Sequence, residues 1–226
     1  MDNGNLKRVT IFAGHYGSGK TNIAVNYALK IADSGKKTAI ADLDIVNPYF
    51  RTKDSENVLN EKRVRLISSP YANTNVDTPA LPAEAYSVIH DTSVFSVIDV
   101  GGDDRGALAL GRYASGIKEQ NDYEMLFVIN KYRYLTADAE GTLEVMNEIE
   151  KAAGIKFTGI VNNSNLGEET TKETVLGSVS YANEVSKITG LPIKMTAVRA
   201  ELVDALNGEI ENLMPMNIYV KQSWQR

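Results

Sequence analysis

Short apolar runs rich in β-branched residues recur along the chain and alternate with segments of helical periodicity. The runs are RVTIFAG (8–14), KTAIADLDI (37–45), VRLISSP (64–70), FSVIDVGG (95–102), EMLFVINK (124–131), FTGIVNNS (157–164) and IKMTAV (193–198). Apolar residues recur at helical spacing over 23–31, 137–152 and 175–188. Strands that are apolar throughout suit a parallel sheet covered by helices on both faces. The pattern predicts an α/β fold with a three-layer, doubly wound, mostly parallel sheet of about seven strands.

Length and composition limit the domain number and exclude several classes of function. We expect 226 residues to form a single domain spanning 1–226. The net charge of -5 argues against a nucleic-acid partner. The chain contains no cysteine, which excludes disulfides, thiolate metal sites and cysteine nucleophiles. No run approaches the ~18 apolar residues of a membrane helix, so we expect a cytoplasmic protein without a membrane partner.

The segment GHYGSGKT matches the phosphate-binding pattern G-x-x-x-x-G-K-[ST], between a predicted strand and a predicted helix. Glycines allow backbone N–H groups to turn around phosphate oxygens, and the helix N-terminus adds partial positive charge. We expect Lys20 to reach the β and γ phosphates and the Thr21 hydroxyl to ligate Mg²⁺. The predicted nucleotide-binding residues of this segment are Gly14, His15, Tyr16, Gly17, Ser18, Gly19, Lys20, Thr21 and Asn22.

Three aspartates follow predicted strands, at the sheet edge where open α/β sheets bind ligands. Asp42 and Asp44 are two residues apart and therefore lie on one side of an extended chain. One of this pair can face the water shell of a metal and the other the attacking water. Asp99 after its apolar strand is typical of a metal contact, and the glycines at 101 and 102 can offer N–H groups to the γ phosphate. We therefore predict metal binding by Thr21, Asp42 and Asp99, and phosphate contacts by Gly101 and Gly102.

Two short segments indicate which base the bound nucleotide carries. NKYR, residues 130–133, lacks the aspartate of the guanine-reading pattern N-K-x-D. Asn162 and Asn163 end a predicted strand, and their amides can both donate to and accept from an adenine edge. The sequence thus favours ATP over GTP.

Together these motifs resemble the MinD/ParA branch of P-loop ATPases, Rossmann-like proteins that include the nitrogenase iron protein and the ATPases that assist metal insertion into carbon monoxide dehydrogenase. The resemblance covers the loop at Gly14–Thr21, DLD at Asp42–Asp44, DVGG at Asp99–Gly102 and VNN at Val161–Asn163. It implies a nucleotide-dependent homodimer whose switch loops rearrange between ATP and ADP.

The resemblance also implies roles for individual residues. Lys20 and Thr21 would hold phosphate and Mg²⁺, Asp99 would contact the metal through water, and Asp44 would orient the attacking water. Lys20 and Asp44 are thus the predicted catalytic residues, and the base would bind near Asn162 and Asn163.

Two features depart from the family pattern. The family loop usually reads G-K-G-G-x-G-K-T, and its first lysine reaches the partner's nucleotide across the dimer. His15 and Tyr16 stand here at the lysine and the following glycine, and a neutral imidazole carries no fixed charge. Arg51 and Arg105 are candidate replacements for that charge. The lack of cysteine excludes metal delivery through thiolates at a dimer interface.

The sequence predicts a slow, Mg²⁺-dependent ATP hydrolase acting on a protein client, with a role as an accessory factor for a metal- or cofactor-dependent enzyme favoured by elimination. Two alternatives remain open. One is a small-molecule kinase or ATP-dependent ligase that uses Arg51, Arg105 or Glu84 to bind an acceptor, and the other is a regulatory ATP-binding module with negligible turnover. Tyrosines that follow strand ends, together with Arg51 and Arg133, indicate a dimer or client surface. They are Tyr16, Tyr49, Tyr71, Tyr132 and Tyr134.

Overall fold

The strands form one continuous sheet in the computed structural model, which describes residues 6–44, 55–68, 83–102 and 104–220. In chain order they are β1 (Val9–Ala13), β2 (Thr38–Asp42), β3 (Arg65–Ile67), β4 (Phe95–Asp99), β5 (Tyr123–Ile129), β6 (Gly159–Asn162), β7 (Ile193–Arg199) and β8 (Leu213–Met216). Across the sheet they follow the order β3-β2-β4-β1-β5-β6-β7-β8, and all neighbours are parallel. The predicted parallel α/β fold is confirmed, and each of the seven predicted strands is present.

Helices cover both faces of this sheet. They are α1 (Lys20–Asp33), α2 (Glu56–Glu61), α3 (Ala83–His90), α4 (Asp104–Gly111), α5 (Ala114–Gln120), α6 (Ala139–Ala153), α7 (Lys172–Leu176), α8 (Val179–Thr189) and α9 (Val203–Leu206). Successive strand residues point to opposite faces, so Ile11 packs in the core beneath α3–α6 and α8, whereas Phe12 packs beneath α1. Tyr27 of α1 meets Phe12 edge-on, with ring centroids 5.2 Å apart. This packing fixes the N-terminus of α1 at the carboxyl ends of the strands.

The eighth strand, β8, was not predicted. Its sequence, LMPM, contains Pro215, which has no N–H for a strand ladder. Among the described strands β8 pairs with β7 alone, and Pro215 lies opposite Val198 at this outer edge. An edge position tolerates proline because one side of the strand needs no partner.

The predicted helix over 175–188 is two helices. α7 ends at Leu176, and the Ser178 hydroxyl donates to the carbonyl of Val175 at 2.7 Å before α8 begins. A Cβ at Gly177 would lie 3.1 Å from the Glu173 carbonyl. The chain therefore turns at Gly177 and Ser178, where periodicity alone gave no break.

Candidate nucleotide-binding site

The loop between β1 and α1 depends on glycine at several positions. Gly17 and Gly19 have φ angles of 75° and 89°, in the left-handed region that side chains disfavour. A Cβ at Gly19 would lie 2.2 Å from Nδ2 of Asn163, and one at Gly14 would lie 2.4 Å from the carbonyl oxygen of Val128. The loop is thus pressed against the ends of β5 and β6 with its main chain exposed to the cleft.

Donor groups collect at this loop. Lys20 is 7% exposed, and its Nζ donates to the carbonyl of His15 at 3.1 Å. The N-cap residue Gly19 supplies no side-chain acceptor to the first N–H groups of α1. The Ser18 hydroxyl is buried without a hydrogen-bond partner among the described residues. A main-chain cradle with a lysine, an uncapped helix start and an unpaired hydroxyl fits a phosphate group.

The three predicted aspartates converge at the ends of β2 and β4. Asp42 and Asp99 occupy paired positions on these neighbouring strands, and both are buried. Asp42 Oδ1 accepts the N–H of Asp44 at 2.9 Å, while the N–H of Leu43 donates to the carbonyl of Asp99 at 2.8 Å. These bonds hold the chain after β2 against β4, which places the Asp44 side chain at the cleft.

The two glycines after β4 pack against the same groups. A Cβ at Gly101 would lie 3.2 Å from Oδ1 of Asp44. A Cβ at Gly102 would lie 2.6 Å from Cα of Tyr16 and 2.9 Å from Nζ of Lys20. The segment after β4 can approach the phosphate loop this closely only because it carries no side chains.

A cleft of about 370 Å³ runs from this loop along the carboxyl ends of β5 to β8. Its volume is within the range of small-molecule sites. The phosphate end of the cleft is lined by Tyr16, Gly17, Lys20, Thr21, Asp44 and Gly102. The rest of the cleft, which we name the base end after the predicted role of Asn163, is lined by residues that include Asn163, Asn165, Val198, Arg199, Ile218 and Val220.

The two predicted base-reading asparagines have different positions. Asn163 lines the cleft and donates through Nδ2 to the carbonyl of Ser18 at 2.6 Å. Asn162 is 1% exposed, donates to Ser178 Oγ and accepts from both the N–H and the hydroxyl of Ser164. The side chain of Asn162 therefore fixes the loop after β6 and is not among the residues that line the cleft.

Asn22, predicted as a phosphate-loop ligand, lines the cleft, and its side chain bonds to the segment after β8. Its Oδ1 accepts the N–H groups of Tyr219 and Val220, each at 3.0 Å, and its Nδ2 donates to the carbonyl of Val220 at 3.1 Å. The segment after β8 is thereby fastened to the start of α1, where it forms one wall of the base end. Sequence reasoning missed this segment because the partners are almost two hundred positions apart.

His15 is not among the residues that line the cleft. Its Nδ1 lies 2.9 Å from the carbonyl of Tyr16 and must donate, since a carbonyl can only accept, so a neutral ring has its acceptor at Nε2. Burial lowers the pKa of His15, and the charges of Lys20 and Arg133 lower it further, while the Tyr16 bond and Glu148 act in the opposite direction. The imidazole is therefore neutral at pH 7 in the nucleotide-free protein.

The remaining sequence candidates are dispersed. Arg105 and Glu84 are exposed and do not line the cleft, and Tyr132 donates to the carbonyl of Thr174 at 2.7 Å. Tyr134, which directly follows the cleft residue Arg133 in the chain, is 93% exposed. The predicted surface residues Arg51, Tyr49 and Tyr71 lie outside the described residues.

The described residues contain no group of three or more His, Asp or Glu side chains that could hold a metal ion. Magnesium commonly needs only one or two protein ligands beside phosphates and waters, so Thr21 with Asp42 or Asp99 fits that ion when a nucleotide is bound. Within the described ranges, no helix is long and apolar enough to span a membrane.

Solved structures with a similar fold have low sequence identity to this chain. FtsY from Mycoplasma mycoides is 21% identical, with a TM-score of 0.53 over 86% of this chain and 61% of that one. Chloroplast FtsY from Physcomitrella patens is 18% identical, with a TM-score of 0.57 over 83% and 57%. The 54 kDa signal recognition particle protein from Aeropyrum pernix, solved with GDP, is 15% identical, with a TM-score of 0.56 over 87% and 42%. At these identities the likeness shows the fold alone.

The chain thus spans about 61% of the length of the Mycoplasma FtsY structure that it matches. No curated protein matches it. The family model described as the CobQ/CobB/MinD/ParA nucleotide binding domain matches residues 9–190, which include the phosphate loop, all three aspartates and both asparagines. The chain belongs to this family and is a P-loop nucleotide-binding protein of the MinD/ParA type.

Proposed function

We propose that the protein is a Mg²⁺-dependent ATPase that uses ATP binding and hydrolysis to control association with a protein partner. One observation carries the proposal: Asp44 and Gly102, from segments after two neighbouring strands, line the same end of the cleft as Lys20 and Thr21. A phosphate cradle faced by a carboxylate and a side-chain-free N–H is suited to phosphoryl transfer to water.

The residues at the phosphate end have separate tasks in this proposal. Lys20 exchanges its bond to the His15 carbonyl for phosphate oxygens, and Asp44 accepts a hydrogen bond from the attacking water. Gly102 offers its N–H to the γ phosphate. Bound Mg²⁺, held by Thr21 and through water by the aspartates, would neutralise phosphate charge. Turnover is slow in this proposal, because the site relies on positioning rather than on a strong base.

ATP is proposed over GTP from the chemistry of the base end. Asn163 and Asn165 provide amides there, with Val198 and Ile218 as apolar walls. A guanine edge presents two adjacent N–H donors that suit a carboxylate, whereas an amide can match the donor and acceptor of adenine. Among the residues that line the cleft, Glu168 is the acid nearest in sequence to these amides, and it is exposed.

A homodimer or client surface is proposed at the cleft entrance. Tyr134 is 93% exposed, Tyr16 is 50% exposed and Leu135 is 46% exposed. Tyrosines are enriched where proteins bind partners. Exposed apolar groups at Tyr16 in the phosphate loop, and at the two residues that directly follow Arg133, would couple association to nucleotide state. An accessory role toward a metal- or cofactor-dependent enzyme is the function we favour for such a switch.

The decisive experiment compares Asp44→Ala with Asp204→Ala, which removes the same charge from an exposed position on α9. We expect Asp44→Ala to lower single-turnover ATP hydrolysis about a hundredfold, the usual scale for a positioned proton acceptor. Equilibrium binding of ATP should stay within about threefold, and size measurements should show an ATP-dependent dimer that persists in this variant.

Several outcomes would contradict the proposal. Hydrolysis at the wild-type rate in Asp44→Ala would remove the proposed role of that carboxylate. Tighter binding of GTP than of ATP by the wild type would reject the adenine assignment. Turnover that requires a small acceptor molecule would favour a kinase, and ATP binding without any hydrolysis would favour a regulatory module.

A further inference from the structure

Arg133 is held at the phosphate end by the turn that follows β5. Asn130, which is fully buried, accepts the N–H of Arg133 through its carbonyl at 3.1 Å and the N–H of Tyr132 through Oδ1 at 3.0 Å. The Arg133 carbonyl accepts from the N–H of Thr136 at 3.0 Å, and the Thr136 hydroxyl closes the turn on the carbonyl of Asn130 at 2.7 Å. The main chain is thus fixed on both sides of this arginine.

The side chain of Arg133 lies against the phosphate loop. A Cβ at Gly17 would meet its Nε at 3.4 Å and its Cζ at 3.5 Å, and the residue lines the cleft beside Gly17 and Lys20. Gly17 therefore leaves the space that the guanidinium occupies. Sequence reasoning assigned Arg133 only to a partner surface, because nothing in NKYR connects it with a loop more than a hundred residues earlier.

Among the described residues, the guanidinium lacks partners for its charge. Nε is buried without a hydrogen-bond partner in that part of the chain, and none of its carboxylates forms an ion pair with Arg133. An unpaired buried donor is costly, and more so when it belongs to a charged group. Within the described part of the chain, Arg133 therefore lines a site whose charge favours an anion.

The charges of the neighbouring groups also favour an anion at this site. The charges of Arg133 and Lys20 both lower the pKa of His15, with burial as the larger cause, so two cations act on one position of the loop. Glu148 opposes them, and it is exposed on α6. A phosphate chain in the cleft would neutralise this local excess of positive charge.

We propose that Arg133 is a phosphate-binding residue, whose guanidinium donates to a phosphate oxygen of the nucleotide bound by its own chain. The inference rests on the proposed nucleotide-binding function and adds a cation that comes from outside the phosphate loop. The guanidinium provides, within one chain, a fixed positive charge beside the loop position where His15 provides none.

The test separates the charge of Arg133 from the packing of its stem. Arg133→Met keeps an unbranched stem over Gly17 and removes the charge, Arg133→Lys keeps a charge, and Arg112→Met removes a charge from an exposed arginine between α4 and α5. Equilibrium dissociation constants are measured for ATP, ADP and inorganic tripolyphosphate with Mg²⁺, and unfolding temperatures are measured without nucleotide.

We expect Arg133→Met to weaken ATP and tripolyphosphate binding about tenfold to a hundredfold, the scale of one hydrogen bond to a charged group. Arg133→Lys should recover most of the loss, Arg112→Met should match the wild type, and all unfolding temperatures should agree. Wild-type affinity in Arg133→Met, or a lowered unfolding temperature with equal loss in the lysine variant, would overturn the proposal. If the wild type binds no nucleotide at all, the proposed function fails and the role of Arg133 fails with it.

Discussion

The two ends of the cleft are built in different ways. The phosphate end consists mainly of main chain, because Gly17, Gly19 and Gly102 leave N–H groups and close approaches that any side chain would obstruct. The base end consists of side chains from the loop after β6, from β7 and from the segment after β8. The phosphate loop is thus encoded by one contiguous segment, to which Asp44, Gly102 and Arg133 are added from other strand ends, whereas the whole base end is assembled from distant parts of the chain.

Because of this difference, we expect nucleotide affinity to respond differently to substitutions at the two ends. At the phosphate end, the proposed binding depends on backbone geometry and on the charges of Lys20 and Arg133, so we expect the change of a single side chain to have a large effect. At the base end, apolar walls such as Val198 and Ile218 share the contact area, so each contributes modestly. Substitutions at the two ends should differ in how much they lower the affinity and in which part of the nucleotide loses its contacts.

The largest effect is expected for Gly19→Ala. The new Cβ would meet Nδ2 of Asn163, whose hydrogen bond to Ser18 fixes the loop, and the φ angle of 89° disfavours any side chain. We expect ATP and tripolyphosphate affinity to fall by at least about a hundredfold, which corresponds to about 3 kcal/mol. Equilibrium binding measured with both ligands checks this.

Gly35→Ala is the matched control for that substitution. Gly35 has a φ of 82°, and a Cβ there would contact no atom within 4 Å. It should lose about 1–2 kcal/mol of unfolding free energy from backbone strain, with no change in nucleotide affinity. Equal affinity losses in the two variants would show that general destabilisation by a strained glycine position, rather than collision with Asn163, lowers the affinity.

A smaller effect is expected at the base end for Ile218→Ala. Ile218 lines the cleft and is 47% exposed without nucleotide, whereas Ile188 on α8 has a similar exposure of 54% and does not line the cleft. Loss of part of an apolar wall should weaken ATP binding about fivefold, or about 1 kcal/mol. Tripolyphosphate binding should be unchanged.

Ile188→Ala should bind both ligands as the wild type does. If Ile218→Ala weakened tripolyphosphate as much as ATP, the two ends of the cleft would not be separable, and the distinction drawn between them would be wrong.

The smallest effect is a pH dependence at the phosphate end. Burial and the charges of Lys20 and Arg133 lower the pKa of His15 in the free protein, and a bound phosphate chain would raise it. Binding then takes up protons, so affinity should increase as the pH falls from 8 to 6. We expect a change in affinity of about threefold over this range.

His15→Gln should remove the part of the pH dependence that comes from proton uptake by His15, for both ATP and tripolyphosphate. Because phosphate oxygens also titrate in this range, the comparison is between wild type and variant in the slope of the logarithm of affinity against pH. Identical slopes would show that His15 does not sense the phosphate chain.

The sequence was sufficient to predict the parallel sheet, the phosphate loop and the aspartates at strand ends. Each of these is local: apolar strands, a contiguous glycine motif, or an acid that directly follows a strand. The single-domain expectation and the assigned roles of the site residues stay predictions. The Asn162–Asn163 pair shows what a local pattern cannot predict. The two residues are adjacent at the end of a strand, but their side chains point in different directions, and of the two only Asn163 faces the cleft.

Contacts between distant segments could not be predicted. Arg133 reaches Gly17 because β5 lies next to β1, and Asn22 holds the segment after β8 because that segment returns to α1. β8 itself was missed because Pro215 contradicts the usual composition of a strand, and only its position at the edge makes the proline acceptable.

The two edges of the sheet limit how copies of this molecule could assemble. β8 has Pro215 in the middle of its four residues, and β3 at the other edge has three residues and an exposed Arg65. Short edge strands with proline or charge resist pairing with strands from another molecule. Among the described residues, neither edge therefore favours growth of a continuous intermolecular sheet. In the proposed function, the surface at the carboxyl ends of the strands would then act as the reversible contact that the nucleotide controls.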